Sequence, residues 1–203
     1  MRIVPISVQL VHATPDPLMV IETMGRICYQ SEPRGEPESF VRMLLKRGHE
    51  SVIEHVSVGF RIVCDCGVTH ELVRHRLAAF SQESTRYCDY TGDRFGGELG
   101  FVVPPDLTEV TLGTWKCAMD TAEAMYKGMR ADGSPPEIAR SVLPNSLKSE
   151  IGMTCNAREW RHVLRLRTSP KAHPQMRQVM ALVSAELRAW CTVLFEDIPE
   201  SQP

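Results

Sequence analysis

The stretch SVGFRIVCDCG, residues 57–67, constrains the fold more than any other. Its β-branched and apolar side chains read as a strand, and a strand needs partners. Residues 2–12 (RIVPISVQLVH) supply a second strand-like run, residues 101–105 (FVVPP) a short one, and SLKSEIGMTCN (146–156) reads as extended. Helical spacing fills the intervals. It runs through Leu18, Ile21, Met24 and Ile27 within 17–30, and through 37–47, opened by Pro37 and closed by Gly48. THELVRHR suits a helix, and the segment after Arg76 reads as a loop. Residues 106–131 form a long helix with Leu107, Val110, Leu112, Trp115, Ala118, Met119, Ala122 and Met125 on its apolar side. PPEIARSVLP, NAREWRHVLRLR and KAHPQMRQVMALVSAELRAWCTVL complete the helices. Strands and helices mix without regular alternation, which predicts an α+β fold with a mixed or antiparallel sheet flanked by long helices. No repeat, low-complexity tract or linker divides the 203 residues, so one domain is expected over 1–203, with a frayed polar tail, ESQP.

The net charge of −2 argues against a general nucleic-acid binder. It also makes the local crowding in RHRLAAFSQESTRY, residues 74–87, conspicuous. Arg74, His75, Arg76 and Arg86 cannot share a core without anions, since an unpaired buried charge costs several kcal/mol, roughly. Two readings stand. The cations can form a solvated helix end, favoured by the dipole at a helix C-terminus. Alternatively, Gln82, Ser84 and Thr85 with the arginines form an anion site, because guanidinium groups bind phosphate bidentately. No P-loop and no GxGxxG occurs, so side chains would have to hold any nucleotide.

In NAREWRHVLRLR, residues 156–167, Asn156 and Glu159 make a capping box. Trp160, Val163, Leu164 and Arg167 share one helical stripe, and Arg158, His162 and Arg165 share roughly the opposite one. An arginine that continues an apolar stripe must reach a partner or snorkel out, which singles out Arg167. HESVIEH, residues 49–55, fails the HExxH spacing, so His49, Glu54 and His55 predict hydrogen-bonded positions at a helix start and no metal. The seven cysteines are scattered and lack a CxxC; they read as reduced core thiols. No GxSxG is present, and no cysteine is paired in sequence with a base. The chain starts without a charged leader before a long apolar core, and no window approaches about 18 apolar residues, so a cytoplasmic protein is expected.

The spacing RHR, seven residues, then SxR resembles the signature of the flavin-dependent thymidylate synthases, and RHR-LAAFSQE-STR fits it without a gap. RGHESVIEH (47–55) and the run from Ala139 to Met176 resemble two further blocks of that family, in the same order. The resemblance implies a homotetramer with FAD sites at subunit interfaces. It implies methylation of dUMP at C5, with methylenetetrahydrofolate as carbon donor and NADPH as hydride source through FAD, and no cysteine nucleophile. By matched position, Arg74, His75 and Arg76 resemble the flavin-contacting triplet, with Arg74 also near the nucleotide. Ser51, Glu54, Asn156, Arg158 and His162 resemble flavin-side positions. Gln82, Ser84, Thr85, Arg86, Arg140 and Arg167 resemble nucleotide ligands, with Arg167 placed to polarise the uracil and Ser84 grouped with it as catalytic. Ala79, Pro174 and Gln175 depart from the commoner family residues. Relatives that methylate UMP or another pyrimidine nucleotide would share every one of these positions. A phosphate- or RNA-binding module is disfavoured by the net charge and the lack of interleaved aromatics.

Overall fold

The computed structural model describes residues 1–33 and 35–199; the ESQP tail lies outside them. Among the described residues six strands and seven α-helices alternate irregularly: β1 (Arg2–Ile3), β2 (Ser7–Ala13), α1 (Pro17–Ile27), α2 (Pro37–Lys46), β3 (Ser57–Asp65), α3 (Cys66–Leu72), β4 (Ala79–Gln82), β5 (Gly100–Phe101), α4 (Glu109–Ala131), α5 (Pro136–Ala139), β6 (Lys148–Asn156), α6 (Ala157–Arg167) and α7 (Pro174–Phe195). A four-stranded antiparallel sheet has the order β2-β3-β6-β4, and β1 pairs parallel with β5, Arg2 opposite Gly100. The class is α+β, as the sequence predicts. β3 and β6 are the two inner strands; β3 is buried along most of its length, whereas β6 alternates strictly between buried and half-buried positions.

Contacts divide the chain into two compact units. The first comprises residues 1–7, 63–74 and 81–151. Its core gathers Tyr90, Leu99, Phe101, Met119, Tyr126, Ala139 and Leu147. α4 starts one turn later than 106, where Thr108 Oγ1 accepts from Thr111 N. Its buried stripe is Met119, Glu123 and Tyr126, with Trp115 and Met129 half-buried beside them. Val110, Ala118 and Met125 are exposed, against the predicted apolar side: at 100° per residue, positions 110 and 125 rotate away from 119. Glu123 can occupy that stripe because it accepts from Leu99 N at 3.0 Å and pairs with Lys127 at 2.8 Å. α3 is capped by Asp65, whose Oδ1 accepts from Val68 N at 2.7 Å, so the residue between Cys64 and Cys66 caps a helix.

The second unit comprises 8–62, 75–80 and 152 onward. α1 packs on α2, α2 on α7, and α6 on α7 and on a 3-10 turn at Glu50–His55. Ile21, Val41, Ile53, Phe60, Trp160, Val163 and Val183 are fully enclosed. Gly59 is required by close approach: a Cβ there would lie 2.5 Å from Thr154 Oγ1 and 2.6 Å from the His12 ring. Three expectations change. The run 2–12 is two strands, split around Pro5, and the segment after Arg76 contains β4. α7 has the length and composition to cross a membrane, but half of its most apolar window is buried within the protein, as in a core helix.

Candidate active site

In the second unit α6 carries a cluster of polar side chains. Asn156 caps α6, its Oδ1 accepting from Glu159 N at 2.9 Å. The cap sends Trp160, Val163 and Leu164 into the core and leaves Arg158, His162 and Arg165 exposed on the other face, as the helical spacing predicts. Trp160 Nε1 donates to Val58 O at 3.0 Å, and its ring meets Phe60 edge-on, which fixes the rotation of the helix. A cavity of about 540 Å³ opens over the polar face, lined by Glu50, Glu54, Leu77, Asn156, Arg158, Glu159, His162 and Arg165. Arg158 donates to Glu54 at 2.5 Å, which holds its guanidinium above the usual range. Glu50 lies 3.3 Å from Arg165. Ser51 is exposed on the same 3-10 turn and is not part of the cavity wall.

The RHR triplet divides by environment. Arg74 and Arg76 are exposed, whereas His75 is 5% exposed. Arg167 Nε donates to His75 Nε2 at 3.1 Å, and Glu159 Oε1 lies 3.5 Å from His75 Nδ1. Burial first, then the neighbouring Arg167 and His162, lower the His75 pKa to about 4, so the ring is neutral at pH 7. Burial raises the Glu159 carboxyl. The capping-box reading is half right: Asn156 caps, but the Glu159 side chain lies against His75 and does not return to the Asn156 amide. Arg167, which continues the apolar stripe, reaches His75, a residue 92 positions away that no local pattern indicates.

In the first unit, Gln82, Ser84, Thr85, Arg86 and Arg140 form a second group. Gln82 Nε2 donates to Thr69 Oγ1 at 3.0 Å and to Ser149 Oγ at 3.1 Å, both hydroxyls buried. Ser84 accepts from Arg86 N at 3.3 Å, and Ser84 O accepts from Tyr87 N and Cys88 N, so STRY is a tight turn. Arg140 donates to Thr85 Oγ1 at 3.2 Å, and Arg86 lies 3.7 Å from Glu137. The turn rests on Glu83, which pairs with Lys148 at 2.6 Å and accepts from the Tyr90 hydroxyl at 2.9 Å. Sequence reasoning missed Glu83 because its partners lie on β6 and beyond the turn. It also missed Arg161, 1% exposed, which donates to Asp197 at 2.6 and 2.7 Å and to Leu194 O. Buried thiols are poor nucleophiles here: burial raises Cys66 to about 11 and Cys64 and Cys155 further.

Residues 9–192 match the family described as thymidylate synthase complementing protein. A flavin-dependent thymidylate synthase from Geobacter sulfurreducens is 33% identical over 203 residues, covering 94% of this chain and 86% of its own. Another from Thermococcus kodakarensis is 35% identical over 188 residues, covering 86% and 75%. Among solved structures, the UMP/dUMP methylase PolB from Streptomyces cacaoi, bound with 5-Br dUMP, superposes with a TM-score of 0.82 at 27% identity, covering 97% of this chain and 96% of its own. The chain belongs to the flavin-dependent thymidylate synthase family. These relatives' names support a thymidylate synthase-type methylase.

Proposed function

We propose that the chain converts dUMP to dTMP by reductive methylation at C5, with methylenetetrahydrofolate giving the carbon and NADPH giving the hydride by way of FAD. The observation that carries this reading is the cavity walled by Asn156, Arg158 and His162, the positions that match the family's flavin-side residues. Its donor set fits a flavin. The Asn156 cap uses Oδ1 and leaves the amide nitrogen as a donor; Arg158 and His162 add cationic and imidazole donors, and exposed Leu77 adds an apolar wall. Glu54 and Glu50 hold the arginines in fixed orientations, which prepares them for phosphate or carbonyl oxygens. FAD, when bound, supplies the hydride that turns the transferred methylene into a methyl group.

The chain's own residues bind and polarise. Arg74, His75 and Arg76, with Ser51, Glu54, Asn156, Arg158 and His162, hold the flavin. Arg74, Gln82, Ser84, Thr85, Arg86 and Arg140 hold the nucleotide, the arginines on its phosphate and the STRY turn presenting Ser84. Arg167, fixed at Nε by His75, donates toward the uracil and stabilises negative charge as C5 becomes nucleophilic. We propose that residues 1–203 act as one domain within a cytoplasmic homotetramer whose sites lie at subunit interfaces, without nucleic-acid or membrane partners. A second reading, C5-methylation of UMP, is favoured by the likeness to PolB, whose name covers both nucleotides. Turnover of dUMP and UMP side by side tests the choice: the main reading expects dUMP preferred, and a preference for UMP of about tenfold, or roughly 1.4 kcal/mol, replaces it with the second.

A further inference from the structure

Glu159 lies within a matched block but has no ligand role carried over to it, and its carboxylate is almost fully enclosed at the end of a short polar chain. Arg167 Nε, His75 Nε2 and Nδ1, and Glu159 Oε1 follow one another at 3.1 Å and 3.5 Å across the imidazole. The polarity of this chain is fixed at one end. Arginine Nε always carries its hydrogen, so His75 Nε2 must offer a lone pair to accept from it. A neutral imidazole with a bare Nε2 carries its proton on Nδ1, which is the nitrogen facing Glu159. We propose that Glu159 is a positioning residue: it holds His75 in the Nδ1–H tautomer and thereby fixes the plane of the Arg167 guanidinium. The inference rests on the proposed role of Arg167 toward the nucleotide and names what keeps that arginine in place.

The same geometry admits one rival. His75, Glu159 and His162 each offer a donor atom within 4.8 Å of the others, the kind of set a divalent cation uses. A metal on His75 Nδ1 would leave the ring proton on Nε2, facing the Nε–H of Arg167, so two donors would oppose each other. The observed Arg167–His75 bond therefore selects the hydrogen-bonded reading. At 3.5 Å the Glu159 contact is too long for a strong hydrogen bond, and its effect is orientation more than affinity.

Removing the acceptor frees His75 to place its proton on Nε2, which would expel Arg167 Nε. Glu159→Leu, measured on flavin-saturated protein, is thus expected to weaken dUMP binding by about tenfold, the scale at which a supporting residue acts on the group it orients. Glu159→Gln, which keeps a carbonyl acceptor, is expected to stay within about twofold of the parent by the same argument. Histidine-selective ¹⁵N NMR of the flavin-loaded parent protein at pH 7 reads the tautomer directly, whether or not Glu159→Leu folds: His75 is expected as Nδ1–H. An Nε2–H or doubly protonated His75 overturns the proposal, as does stoichiometric zinc uptake by the parent that Glu159→Gln abolishes. Arg167→Ala separates the two levels. If it leaves dUMP binding intact, the functional reading of Arg167 fails; if it weakens binding while Glu159→Leu does not, only the positioning role fails.

Discussion

Acidification tests the environment of His75 quantitatively. In the unfolded chain the ring titrates near 6.5, whereas in the fold burial beside Arg167 and His162 lowers it to about 4. Between those values the unfolded state binds a proton that the folded state refuses, so stability falls as pH falls. The separation of about 2.5 pH units, at about 1.4 kcal/mol each, amounts to about 3 kcal/mol lost between pH 7 and pH 4. Glu159 runs the other way, because burial raises its carboxyl, so its contribution to stability is present at low pH and lost as pH rises. Asp89 and Asp197, held low by Arg130 and Arg161, lose their contributions as pH falls below the ordinary carboxylate range. Subtracting a His75→Gln variant cancels Asp89 and Asp197, which His75 does not touch, and leaves the imidazole together with its neighbour Glu159. Urea unfolding at half-unit pH steps is expected to show the parent losing about 3 kcal/mol more than the variant between pH 7 and 4. Equal losses in both proteins, within about 0.5 kcal/mol, would refute a neutral, buried His75.

Three substitutions probe other parts of the account. Arg167→Ala is expected to weaken dUMP binding or turnover while flavin absorbance at equal protein concentration stays unchanged. Arg161→Met strands Leu194 O and removes one of two arginine partners of Asp197, which keeps Arg165 at 3.6 Å and, being half exposed, regains water. A loss of about 2–3 kcal/mol in urea unfolding is expected, at the low end for a buried ion pair. Trp160→Ala removes the fully enclosed ring between Phe60 and the core and is expected to cost about 3–5 kcal/mol in the same assay.

What the sequence revealed depended on range. α6 was legible because its cap, apolar stripe and polar stripe lie within 12 residues, and the 3.6-residue period places Arg158 and His162 opposite Trp160. β6 was legible from its extended composition, while β4 was hidden because four residues after a basic cluster carry too little alternation to signal a strand. α4 misled for a different reason: Val110 and Met125 are apolar by type, yet the buried stripe admits Glu123, whose pairing with Lys127 and Leu99 N comes from the fold. The candidate site followed the same rule. Motif spacing found RHR and STR, but the contacts of His75 with Glu159 and Arg167, and of Arg161 with Asp197, join residues tens of positions apart. A one-dimensional pattern carries no record of such pairs.

The central claim is methylation with a hydride delivered through flavin, and the folate co-product reports it most directly. A methylene group becomes methyl only by gaining a hydride. If NADPH supplies it through FAD, the folate leaves as tetrahydrofolate; if the folate itself supplies it, dihydrofolate results. With FAD-loaded protein, dUMP, methylenetetrahydrofolate and NADPH, the account predicts dTMP and tetrahydrofolate in equal amounts, and no dTMP from flavin-free protein. Dihydrofolate formed in step with dTMP would contradict it.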